Sequence, residues 1–461
     1  MPESRQTRRV SLMHSQALLD ASDALPSNQG RASLVYNLID ALELIDDSRD
    51  LSNRPQPQCR LVEPTPATKQ QLCTFHDVKF VDALLSQQGS NSDSSSSASS
   101  SSTSNNSSDS DEDEDEDESG QRPATRRKRI KLSHMGLEHD CPMFDHLAQY
   151  VTQLAGAAID AAKLLRQDEA DVVINWHGGR HHAKRSQASG FCYIQDVGLS
   201  ILELRRRPTP KLARDDDNSS DIDDPTTPPP CNPQRLSRVM YIDLDLHHGD
   251  GVEQAFYESK LVLTLSVHNH AQGFYPATGQ LVDPVLPLHN QPRVPLHSLN
   301  IPLETGTSST TLLRMFNTCI EPTFKKFNPD VIIVQCGCDG LANDPCQEWN
   351  LDLKGLGQIV EQILQWNKKT MLVGGGGYNH ANVARCWAYL TSIALGRPFD
   401  LDDPLPSSLD EHTYQELSQT SPTLDVMASH KRDHNNEQTL NRIERAFKNV
   451  FKLMDPKSQI I

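Results

Sequence analysis

The stretch RVMYIDLDLHHGDG, residues 238–251, decides how this chain folds. Its first half is apolar at successive positions, so a strand formed here would bury both faces, as strands do in a parallel sheet covered by helices on either side. Its second half turns polar at once, placing Asp243, Asp245, His247 and Asp250 at the C-terminal end of that strand. Four other runs read the same way: DVVINW (171–176), LVLTLSVH (261–268), DVIIVQC (330–336) and TMLVGG (370–375). Helical patterns at 30–45, 143–165, 311–327 and 382–395 separate most of them. The spacing predicts an open α/β sheet of parallel strands. The apolar positions Leu440, Ile443, Phe447, Val450 and Phe451 predict a docked amphipathic helix near the end of the chain.

In an open parallel sheet the C-terminal strand ends share one edge, where ligands bind. Polar groups follow four of the strands: GGRHH after VVINWH, HHGDG after YIDLDL, CDG after VIIVQCG and GYN after MLVGGG. These His, Asp and Tyr side chains are expected to converge. Residues two apart on a strand face the same side, so Asp245 and His247 can offer an oxygen and a nitrogen to one metal, which Asp339 would complete. Two Asp and one His with an open fourth position suit a catalytic zinc, and the hard donor set also admits Fe(II) or Co(II). Helix capping by Asp and His is the competing account of such residues, and the pattern DxDxHHxD exceeds what capping needs. His181 and His182, in tandem beside such a site, are placed for proton transfer. Asp243 and Asp250 remain to fix their tautomers. Tyr378, behind Gly374–Gly377, reads as an oxyanion donor, since neither phosphate-loop pattern, GxxxxGK[ST] nor GxGxxG, is present.

Composition narrows the setting. The 61 acidic and 44 basic residues give a net charge of −17, too acidic for a direct nucleic-acid binder. Apolar runs of about seven residues fall far short of the ~20 that a bilayer helix needs, so no membrane partner is expected. The polar start MPESRQTRRVSLMHS has no apolar segment of a secretory signal. Ten scattered cysteines without a CxxC read as reduced thiols, in a protein of the nucleus or cytoplasm. The Ser/Asp/Glu stretch 89–119 carries ten carboxylates, more than half of the net charge, and cannot form a core. RRKRIK (126–131) follows it, either a nuclear-import signal or a charge patch balancing its acidic neighbour. A single domain over residues 9–455 is therefore expected, interrupted by disordered insertions at 89–133 and at 207–236, the latter acidic and Pro-rich.

At these residues the sequence resembles the class I zinc-dependent histone deacetylases, and among them the fungal Hos branch. The motifs are DCP (140–142), GGRHHAKRSQASGFCYIQD (178–196), YIDLDLHHGDGVEQAF (241–256), GFYPATG (273–279), QCGCDGLANDP (335–345) and GGGGYNHANVARCW (374–387). The resemblance implies the arginase-deacetylase fold, one parallel sheet of about eight strands with helices on both faces, and hydrolysis of Nε-acetyl-lysine in histones or other proteins with release of acetate. It implies Asp245, His247 and Asp339 as zinc ligands. It pairs His182 with Asp250 as general base and His181 with Asp243 as electrostatic or acid catalyst, and gives Tyr378 the oxyanion. Phe191 and Tyr275 match the aromatics walling the substrate tunnel, with Gly190 and Cys346 beside them and Asp140 as the rim carboxylate. Structural potassium sites map to Asp243, Asp245, His247 and Ser266, and to Phe256 and Val262. Arg31 matches an inner-cavity arginine.

Four positions depart from the family pattern: Tyr275 for Phe, Ala277 for Gly, Cys338 for Ala and Cys346 for an apolar residue. Pro345 and Ala381 stand where members activated by inositol phosphate carry Arg, so that site is expected to be absent unless Lys184 or Arg185 rebuilds it. Hydrolysis of a small acetylated polyamine is the competing enzyme reading, against which Asp140 favours a peptide. A weakly catalytic scaffold is the other, against which stands the full set of metal and proton-transfer residues.

Overall fold

The computed structural model describes residues 8–46, 58–86, 132–207, 235–284 and 296–454. Among these residues nine strands form one sheet: β1 (Val10–Met13), β2 (Ile45–Asp46), β3 (Cys59–Val62), β4 (Val172–Asn175), β5 (Val239–Asp243), β6 (Val262–Asn269), β7 (Ser298–Leu303), β8 (Val331–Gln335) and β9 (Lys369–Val373). Their order is β2-β3-β1-β4-β9-β8-β5-β6-β7, with every pairing parallel. The expected open parallel sheet is observed, eight strands of four residues or more with the two-residue β2 at one edge. All five apolar runs form strands, as β4, β5, β6, β8 and β9, whereas β1, β3 and β7 carry no sequence signal strong enough to be read.

The apolar runs are explained by helices on both faces. Along β5, Met240 and Ile242 enter one core and Val239 and Tyr241 the other; β8 repeats the alternation, with Ile332 and Val334 against Val331 and Ile333. Each fully buried side chain of this size contributes about 1.5–3 kcal/mol, so neither face of these strands tolerates a polar residue before the strand ends. The helix Glu437–Met454 buries Leu440, Ile443, Phe447 and Val450, as its spacing predicts, and leaves Phe451 half-buried. Among the described residues no helix is long and apolar enough to cross a membrane.

The expected insertions fall mostly outside the described residues, as does the basic cluster 126–131. At their margins, Leu132–Met135 forms a short 3-10 helix and Leu236 is buried.

Candidate active site

Four strands are followed by the polar residues of interest, and they are four neighbours at the centre of the sheet, β4-β9-β8-β5. Two stacked indoles pin the segments that leave them. Trp176, just past β4, lies 5.4 Å from Trp387, within 5° of parallel. Trp387 Nε1 donates to the Cys336 carbonyl past β8 at 2.8 Å, and Trp176 Nε1 to Thr391 Oγ1 at 2.9 Å. Trp387 and Thr391 belong to the helix His380–Ala394, which starts two residues after Tyr378.

Asp245, His247 and Asp339 come together, with one donor atom of each within 4.8 Å of the others. Their route differs from the expected strand alternation, because β5 stops at Asp243. Beyond it the chain turns on its own carboxylates: Asp245 N donates to Asp243 Oδ1 at 3.2 Å, and His247 N to Asp245 Oδ1 at 3.0 Å. His247 Nδ1 then lies 2.9 Å from Asp339 Oδ2 and 3.3 Å from Asp245 Oδ1. The opposite oxygens are held from outside. Asp245 Oδ2 accepts from Gln335 Nε2 and Gly376 N, each at 2.8 Å, and Asp339 Oδ1 from Leu246 N at 3.0 Å. Each carboxylate is thus oriented by one oxygen and presents the other, the arrangement that supports metal ligands. Two buried carboxylates facing an imidazole, without a thiolate, fit a divalent cation of catalytic type. Glycine is required here, since a Cβ on Gly376 would lie 2.1 Å from Asp339 Oδ2.

Protein groups alone polarise this triad strongly. Burial opposes charge on His247, but Asp245 and Asp339 outweigh it and raise the imidazole to about 10. Burial and the neighbouring Asp245 raise Asp339 to about 7. Burial also opposes charge on Asp245, yet His181 and His247 overcome it and hold this carboxyl well below the usual carboxylate range.

The tandem histidines lie against the triad, in two separate dyads. His181 Nδ1 meets Asp243 Oδ2 at 2.9 Å, and His182 Nδ1 meets Asp250 Oδ1 at 2.8 Å. With the carboxylates ionised both Nδ1 atoms donate, leaving Nε2 of each neutral ring as acceptor. Their environments diverge. Burial disfavours charge on His181, yet Asp243 and Asp245 raise it to about 9; burial and the charged His181 lower His182 to about 3. One ring is an imidazolium at neutral pH and its neighbour a neutral base.

Tyr378 follows the glycine run after β9, and its N–H and that of Asn379 donate to Asp344 Oδ2 at 2.8 and 3.2 Å. Burial, Asp339 and Asp245 push the phenol well above its ordinary value, so it stays a donor. Its ring meets Phe191 edge-on at 5.9 Å. Phe191, Gly190, His181, His182, Asp245, His247, Asp339 and Tyr378 line one narrow cavity. At its rim Asp140 Oδ2 accepts from Gly190 N at 2.8 Å, and Tyr275 stands edge-on to His182 at 5.0 Å. Cys346 is half-buried, with burial, Asp339 and Asp344 keeping it a neutral thiol.

The expected potassium residues divide. Asp243 and Ser266 are partners in the β5–β6 register, so Ser266 joins Asp243, Asp245 and His247. Val262 pairs with Val239 at the other end of the same ladder, and Phe256 closes the helix before β6. Arg31 Nη1 donates to the carbonyls of Gly375 and Gly377 at 3.1 and 2.9 Å, behind the glycine run. Pro345 and Ala381 border a broad pocket of about 890 Å³ that also takes in His380, Glu416 and Lys431. Lys184 and Arg185 do not line it: Lys184 Nζ pairs with Asp250 Oδ2 at 3.3 Å, and Arg185 Nε with Asp77 Oδ1 at 2.7 Å.

Sequence reasoning missed Gln335 and Asp344, which hold Asp245 and the Tyr378 backbone. Gln335 was visible as the one polar residue closing VIIVQ, whereas nothing near Asp344 in the chain announces its partners.

Comparison with known proteins agrees with this geometry. The family model described as the histone deacetylase domain matches residues 25–213 and 231–394. Histone deacetylase 8 of Danio rerio is 30% identical over 452 residues, covering 98% of this chain and 97% of that protein. Histone deacetylase 8 of Xenopus laevis is 33% identical over 317 residues, 69% of this chain and 86% of that protein. Histone deacetylase 19 of Arabidopsis thaliana is 34% identical over 322 residues, 70% of this chain and 56% of that protein.

Proposed function

Because this chain belongs to the histone deacetylase family and is a zinc-dependent protein-lysine deacetylase, we propose that Asp245, His247 and Asp339 hold the zinc and that the two His–Asp dyads and Tyr378 carry the chemistry. The observation behind this reading is the pair of His–Asp dyads set against the triad, His181 on Asp243 and His182 on Asp250. Zinc bound there supplies Lewis acidity, polarising the acetyl carbonyl and acidifying water. His182, kept neutral and oriented by Asp250, takes the proton as water adds to the carbonyl carbon. Tyr378 donates to the oxygen that gains charge. As the C–N bond breaks, the lysine nitrogen takes up a proton from the histidine pair and acetate is left. His181, cationic beside Asp243, stabilises the negative charge that builds up between them.

Phe191 and Tyr275 offer apolar walls for a four-carbon lysine stem, with Gly190 leaving space beside them and Cys346 adding a neutral thiol. Asp140 retains acceptor capacity at the rim for a substrate backbone N–H, which favours a peptide over a polyamine. Histone tails and other acetylated nuclear or cytosolic proteins are the substrates this implies. Fe(II) or Co(II) could replace zinc in the same donor set. Potassium would bind at Asp243, Asp245, His247 and Ser266, and near Phe256 and Val262. Placement in the Hos branch rests on the motifs alone. Assaying the zinc-loaded protein on acetyl-lysine peptides and acetylpolyamines tests the reading; turnover of polyamines alone would overturn the peptide assignment.

The raised values of His247 and Asp339 predict that zinc must displace protons. Both groups are raised by their surroundings, so zinc binding at neutral pH should release protons and weaken as pH falls. Calorimetric titration of zinc into chelator-stripped protein, in buffers of different ionisation enthalpy, measures that release. A heat independent of buffer would contradict it.

Pro345 and Ala381 bring no cation to their pocket, Lys184 and Arg185 are engaged elsewhere, and Lys431 is the single Lys or Arg among its lining residues. Direct nucleic-acid binding is likewise not part of this reading. The enzyme should act without inositol phosphate, because a polyanion here lacks bidentate partners. Severalfold activation by micromolar inositol hexakisphosphate in a peptide assay would sink this expectation.

A further inference from the structure

We propose that the hydrogen bond between the Tyr275 and Ser189 hydroxyls is a latch across the mouth of the substrate passage, and that it sets the width of acyl group the enzyme accepts. The inference rests on the reading of Phe191 and Tyr275 as opposite walls of that passage. The two oxygens are 2.6 Å apart and join loops separated by 86 residues. Phenylalanine, the usual residue at the Tyr275 position, could not form this bond.

Both loops are anchored independently, so the bond fixes their separation and does not merely tie down a loose end. On one side Ser189 and Cys192 exchange backbone hydrogen bonds at 3.1 and 2.8 Å, Ala188 N reaches the Met135 carbonyl at 2.9 Å, and Gly190 N reaches Asp140. On the other, His248 Nδ1 and Thr278 Oγ1 are 2.7 Å apart, His268 Nε2 and the Gly279 carbonyl 2.9 Å, and Phe274 stacks on His247 at 4.9 Å. Between the loops sits Gly190, at φ +53°, where a Cβ would come within 2.9 Å of the Tyr275 hydroxyl and 2.4 Å of the His182 ring. The loops already touch there, and Phe191 is the next residue. Widening the gap between Phe191 and Tyr275 therefore requires the hydroxyls to part. Tyr275 is 42% exposed, so water can replace either partner and the bond can open without unfolding its surroundings.

One neutral hydrogen bond corresponds to about a two- to tenfold effect. The test compares kcat/KM for acetyl- and butyryl-lysine forms of one peptide in wild type, Tyr275→Phe, Ser189→Ala and the double variant. The butyryl-to-acetyl ratio should rise about two- to tenfold in each single variant and no further in the double, as for two halves of one contact. An unchanged ratio, a change in only one single variant, or a double equal to the product of the singles would overturn the latch. Phe191→Leu tells the two failures apart. If it shifts the ratio while the hydroxyl variants do not, the passage stands and the latch falls; if it too changes nothing, the wall assignment falls and the latch with it.

Discussion

Asp339→Ala should yield a folded protein that neither retains zinc nor deacetylates. Asp339 supplies one of three donor atoms, and its Oδ1 also accepts from Leu246 N at 3.0 Å, fixing the segment between Asp245 and His247. The substitution therefore removes a ligand and releases the turn that carries the other two. Two remaining donors are too few to hold a catalytic zinc. The fold should survive, because Asp339 lies past the end of β8 and contributes no apolar side chain to either core. Metal analysis of the purified variant, with circular dichroism as the control for folding, decides the matter. Stoichiometric zinc in a folded Asp339→Ala protein would mean that the ligands are assigned wrongly.

Tyr378→Phe should separate catalysis from metal binding. Only the phenolic oxygen is lost, and the backbone N–H of residue 378 can still donate to Asp344. Zinc content and melting temperature should match wild type while kcat drops about 10²- to 10³-fold, the range for loss of one oxyanion donor. KM should change less, since the donor acts on charge that appears during reaction. A kcat within a fewfold of wild type would remove Tyr378 from the mechanism.

How much of this was legible follows from the range of the interactions. The central strands were, because an unbroken apolar run ending in Asp or His fits little besides a strand of a doubly covered sheet. Four-residue β1 (VSLM) and β3 (CRLV) were not, since Ser11 and Arg60 break the apolar run. The convergence of Asp245, His247 and Asp339 was legible for a partly mistaken reason: strand alternation does not bring Asp245 and His247 to one side, whereas the carboxylates of Asp243 and Asp245 bend the chain after β5 ends. Supporting residues stayed hidden because their partners are distant in sequence. Gln335 serves Asp245 across 90 positions, Asp344 serves Tyr378 across 34, and Ser189 meets Tyr275 across 86. Spacing rules see a few residues at a time, and none of these pairs falls within that range.

Drawing the site from the exits of four adjacent central strands also determines when the enzyme first exists. The last of those strands in the chain, β9, lies between β4 and β8, so until it is made the sheet has a gap at its middle. Tyr378 emerges from the ribosome after every other catalytic group, directly behind the strand that fills that gap. A nascent chain that already carries Asp245, His247 and Asp339 should therefore be silent, and in a chain terminated before β9 the sheet ladder is broken between β4 and β8. No active fragment should be recoverable from either side of the break.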